Sequence, residues 1–126
     1  MTRIHRFFAV ACWLAIGGAY MLSIMPEDEA PKVLGWDKAQ HMLAFFTITL
    51  LFRLGYPRFP VRYVIGALGL FGALIEFSQM VPLIHRDSSV WDWVADMIAL
   101  FAALLVARPI VAWLGRWRMG WDSNPR

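Results

Sequence analysis

The sequence has a single cysteine, Cys12, so no intramolecular disulfide can form. Its place inside a long apolar run makes it a small buried apolar residue. There is no HxH, HExxH or CxxC spacing, which removes the usual zinc-site signatures. No internal repeat and no low-complexity segment interrupts the chain, which excludes solenoids and biased linkers. Residues 7–25 contain no acid, whereas small drug/proton exporters of this size usually carry a carboxylate in the first helix; that function is disfavoured. Basic residues form no stripe. The arginines stand at the ends of apolar runs, which excludes nucleic acid as a partner despite the net charge of +3 and a pI near 9.5.

What remains is strongly apolar. The 126 residues are 60% hydrophobic with a mean hydropathy of +0.54, too apolar for an ordinary soluble domain. Seven Trp and nine Phe suit the aromatic belts of a membrane protein. Four apolar runs, 7–25, 39–55, 62–84 and 90–114, predict helices. A spanning helix needs about 20 residues at 1.5 Å each, which the first, third and fourth runs meet. The second is shorter, and its polar start (Asp37, Lys38, Gln40, His41) must sit at the interface or in a wet pocket. Pro26 and Pro31 bracket an acidic loop, Pro57 and Pro60 break the chain between the second and third runs, and Pro82 ends or kinks the third. The first run is longer than a signal-peptide core and no small-x-small cleavage site follows it, so it reads as a retained helix. The expected fold is all-α: one integral membrane four-helix bundle over residues 1–119, with residues 120–126 a disordered polar tail.

Nine of the twelve Lys and Arg residues stand at the two termini or between the second and third runs. Lys32, Lys38 and Arg86 stand on the other side. That bias places both termini in the cytoplasm. Trp36, Trp91 and Trp93 are then expected to ring the outer interface, and Tyr56, Tyr63, Trp113 and Trp117 the inner one.

Eight polar side chains converge on the outer end: Asp37, Lys38, His41, Glu76, Gln79, Arg86, Asp92 and Asp96. Asp37 and His41 are i, i+4, Glu76 and Gln79 are i, i+3, and Asp92 and Asp96 are again i, i+4, so each pair shares a helix face. Gly66, Gly69 and Gly72 extend the Glu76 stripe, and Ala99 and Ala103 the Asp96 stripe; small residues let helices approach closely in lipid. Glu76 and Asp96 are each expected about 9 Å down their helices, His41 slightly less. Four acids at this level face only two fixed cations, Lys38 and Arg86. Three answers fit: a carboxyl holds a proton, His41 is cationic, or a divalent cation binds. His41, Glu76, Asp92 and Asp96 are therefore the candidate acid/base or ion-holding groups. Asp37, Lys38, Gln79 and Arg86 are candidates for contacting a ligand. No other cofactor is indicated. The alternative is a hydrogen-bonded polar plug that fixes helix register.

The set Asp37-Lys38-x-x-His41, then Glu76-x-x-Gln79, then Arg86 followed by Asp92-x-x-Ala95-Asp96, resembles the VanZ-like family of small bacterial membrane proteins. The resemblance covers about residues 35–105. This chain has Ala95-Asp96 where the family often has Ala-Asn, and Ala99 where a Gly often follows. The resemblance implies a multi-pass protein of the bacterial cytoplasmic membrane with a cell-envelope role, since the named member of the family is linked to teicoplanin resistance. The expected partner is membrane lipid: a headgroup or a lipid-linked wall precursor, its phosphate met by Lys38 and Arg86. Two other readings stay open, a non-enzymatic membrane partner subunit and, less favoured, a drug/proton exporter.

Overall fold

The computed structural model describes residues 3–24, 37–80 and 90–122, and among these there is no strand. Four helices follow in chain order: α1 Arg3–Ile24, α2 Asp37–Gly55, α3 Val61–Gln79 and α4 Val90–Asp122. The expected all-α bundle is what forms. α1, α3 and α4 as far as Arg116 are long and apolar enough to cross a membrane, while α2 contributes a shorter apolar stretch, Ala39–Gly55. Large apolar side chains cover the outside: Phe7, Leu14, Leu70, Phe77 and Leu105 are all more than half exposed. In water such a surface would drive aggregation, whereas in lipid it is the solvent-facing side. The protein is a multi-pass membrane protein.

Element ends differ from expectation in two places. α3 closes at Gln79 with Met80 as its C-cap, and the expected continuation to 84, with Pro82, lies outside the described residues. α4 runs on to Asp122, through the stretch from Gly120 expected to be tail, and Pro109 lies inside it without ending it. A proline removes one amide donor, but the flanking turns of a long apolar helix can hold the ladder together.

α2 is the packing centre. It lies most extensively on α4 and next on α1, while α3 closes the bundle chiefly against α4. Cys12, Ile48, Phe52, Val64, Leu68, Leu100 and Leu104 form the main core. This explains why the least apolar helix is tolerated: its neighbours shield it from lipid, and its buried Thr49 hydroxyl donates back to the Phe45 carbonyl at 2.7 Å. α1 and α2 run antiparallel and touch most closely where Gly55 faces Ala9. A Cβ on Gly55 would stand 2.8 Å from the Ala9 nitrogen, so only glycine fits. The α2–α3 turn is tied by the Arg53 Nη1 donating to the Phe59 carbonyl at 2.9 Å and by edge-on packing of Phe52 and Phe59 at 5.5 Å.

The glycine stripe on α3 is only partly an interface. Gly69 faces the Met97 side chain, and a Cβ on Gly72 would press Phe45 and Trp93 at 3.2 and 3.3 Å. Gly66 is exposed, and a Cβ there would meet nothing within 4 Å, so it does not continue the packed stripe. The helix turns about 100° per residue, so each step of three drifts by about 60°, and by Gly66 the stripe has turned about 120° from Gly72 and left the contact line. On α4 the stripe holds, with Ala95, Ala99, Ala103 and Ala107 all buried.

Candidate functional site

The site lies at the end of the bundle opposite the two termini, here the distal end. Its floor is apolar: Phe45 of α2, Ile75 of α3 and Ala99 of α4 pack together, with Tyr20, Met42, Phe46 and Phe71 against them. Helical geometry then sets what lies above. His41 precedes Phe45 by one turn, Glu76 follows Ile75, and Asp96 precedes Ala99 by just under a turn. Three helices that run alternately up and down thus deliver their polar residues to the distal side of one floor. From the helix ends, Asp96 is about 9 Å in and His41 about 6 Å. Glu76 is less than one turn from the end of α3 at Gln79, shallower than the sequence suggested because the helix closes earlier.

Asp96 is the centre of this arrangement. It has no solvent exposure, and neither carboxyl oxygen has a hydrogen-bond partner among the described residues. Glu76 and Asp92 lie within electrostatic range of it. Both are half-buried, and Glu76 Oε1 is withdrawn from solvent. The structure therefore brings three acids of the expected set together. His41, Glu76 and Asp92 each engage in at least one interaction. A buried carboxyl without a hydrogen bond costs about 1–3 kcal/mol on mutational evidence from proteins, and neighbouring negative charge raises that cost. A proton, a cation or a donor group from a ligand would relieve it. Among the described residues no three His, Cys, Asp or Glu side chains are close enough to hold a metal ion. The three carboxyls sense one another without forming a ligand cage.

Gln79 has a defined partner. It is 2% exposed and its Nε2 donates to the Ser23 carbonyl of α1 at 3.0 Å. Beside it Tyr20 Oη and Ser78 Oγ share a hydrogen bond of 2.9 Å. These two bonds pin α1 to α3 at the floor's edge. Asp37 and Lys38 open α2, but their side chains, and the whole of Arg86, lie outside the described residues.

No protein-family model matches this chain, and neither does any curated protein or solved structure.

Two features of the site escape a reading by periodicity. Trp93, expected in the outer aromatic ring, turns inward: its Nε1 donates to the Gly69 carbonyl at 3.1 Å, over the space that Gly69 and Gly72 leave open. Trp91 is the exposed member of the pair, 72% accessible. The α1 partners Tyr20 and Ser23 were also missed. Their signal was present as two polar residues three apart at the end of an otherwise apolar helix.

Proposed function

We propose that this protein works in the envelope of a bacterium, in the cytoplasmic membrane with both termini inside, as the VanZ-like resemblance and the arginine bias imply. The distal site then opens outward and engages a lipid headgroup or a lipid-linked wall precursor. Asp96, Glu76 and Asp92 meet the cationic or proton-donating part of that ligand, with His41 as their acid/base partner. Lys38 and Arg86 meet its phosphate at the rim. The observation that carries this reading is Asp96: fully buried, flanked by two acids, and without a hydrogen bond to either oxygen among the described residues. A latch would spend its polar groups on one another, as Gln79 does with Ser23. A site that waits for a ligand leaves one unspent.

The test is chemical. The chain is purified from bacterial membranes, and the lipids and lipid-linked species it retains are identified for wild type, Asp96→Asn and Glu76→Gln. One retained species should be lost in both variants while thermal stability is kept. Identical lipid profiles in all three proteins would remove the ligand reading and leave a helix-registering plug.

A further inference from the structure

A second cavity lies at the opposite end of the bundle, where both termini emerge. It has a volume of about 600 Å³, within the range of small-molecule sites. Its wall combines His5 of α1, the segment Leu54–Pro60 that joins α2 to α3, and Val111, Leu114 and Gly115 of α4. The lining is divided. Leu54, Phe59, Val111 and Leu114 give it apolar walls, while His5, Tyr56 and Arg58 supply polar atoms.

The charge around it is predominantly positive among the described residues. Of the nine acidic residues only Asp122 falls outside segments 27–37 and 76–96, and it stands about two turns beyond Gly115 on α4. Among the described residues the basic side chains at this end, Arg3, Arg6, Arg53, Arg58, Arg62, Arg108 and Arg116, are all arginine. Arg3 and Arg6 flank His5 in α1, and Arg108 shares a face of α4 with Val111 and Gly115. Arginine presents a planar fork of donors that matches phosphate oxygens, which a lysine ammonium does not. Two of these arginines already have work. Arg53 donates to the Phe59 carbonyl, and the Arg62 guanidinium stands 5.0 Å over the Tyr63 ring. Arg58 is exposed and lines the cavity mouth.

We infer that this cavity is a binding site for an anionic phospholipid, its phosphate between Arg58 and His5 and its glycerol and first acyl carbons along Leu54, Val111 and Leu114. A half-open cavity that is apolar within, arginine-rimmed and set beside lipid-facing helices fits an amphiphile whose head is anionic. It does not fit a zwitterionic head, whose own cation would face the arginines. The inference stands independently of the distal site.

Full-length protein purified in detergent is titrated with phosphatidylglycerol, cardiolipin or phosphatidylcholine, and retained lipid is read by native mass spectrometry beside the shift in Tm. Glycerol 3-phosphate is the water-soluble arm. The two anionic lipids should be retained and should raise Tm, with phosphatidylcholine about tenfold weaker. Arg58→Glu should abolish that preference. So should Gly115→Leu, which narrows the cavity without changing charge and whose Cβ starts in open space, with nothing within 4 Å. Asp96→Asn should leave retention at this site unchanged, which separates its failure from that of the distal site. Equal retention of phosphatidylcholine, an anionic preference that survives both Arg58→Glu and Gly115→Leu, or a Tm shift with glycerol 3-phosphate as large as with the lipids would each overturn the assignment.

Discussion

Replacing Asp96 by alanine should stabilise the protein. Asp96 is fully buried, and neither carboxyl oxygen is hydrogen-bonded among the described residues. Removing such a group recovers about 1–3 kcal/mol on mutational evidence, and an aspartate at the centre of a membrane helix costs about 2.5–3.5 kcal/mol on insertion scales. Asp96 is nearer the helix end than the centre, so the lower part of that span applies. The shortened side chain leaves a carboxyl-sized gap, at about 1 kcal/mol for a void of that size. The balance is a gain of about 1–2 kcal/mol. Helix content followed through a denaturing-detergent titration gives the difference, with Asp96→Asn as the shape-preserving companion. The latch reading predicts the opposite sign, because removing one member of a satisfied buried pair costs about 3–5 kcal/mol. A loss of that size for Asp96→Ala would refute the view that this carboxyl is held in readiness for a ligand.

Gly55→Ala should destabilise strongly, by about 1–3 kcal/mol, since its Cβ would meet the Ala9 backbone at 2.8 Å and 2.9 Å, whereas Gly66→Ala meets nothing and should gain about 0.5–1 kcal/mol; the same titration compares them. Gln79→Leu should cost about 0.6–1.7 kcal/mol by losing the bond to the Ser23 carbonyl, and disulfide trapping between α1 and α3 should then show a looser distal joint. Trp93→Phe should cost a similar amount while keeping the packing over Gly72, and its indole fluorescence in the wild type should be shielded from a soluble quencher more than that of Trp91.

Much of the fold was legible because membrane helices announce themselves by length and apolarity. The four apolar runs became α1 to α4, and Asp92 and Asp96 do share a face, since i, i+4 spacing leaves no alternative on a helix. Which face meets which neighbour was not legible in the same way. Gly66, Gly69 and Gly72 look alike in sequence, but only the last two touch another helix, and that depends on the crossing of α3 over α4. Trp93 follows the same rule: an aromatic residue near a helix end suits an interface belt unless a glycine-lined gap lies opposite, and the gap belongs to another helix. The centrality of α2 could not be inferred from its low apolarity. Its shielding by α1 and α4 is a tertiary fact. The arginine-rimmed cavity was visible only as topology-setting charge, because its walls come from three separate parts of the chain.

We propose that the distal acids form a working site. It is tested most directly by measuring Glu76→Gln and Asp96→Asn in parallel for thermal stability in detergent and for complementation of an envelope-stress or glycopeptide-susceptibility phenotype. Both variants should keep Tm values close to wild type, with Glu76→Gln losing complementation. Stability and complementation falling together in both variants would contradict it.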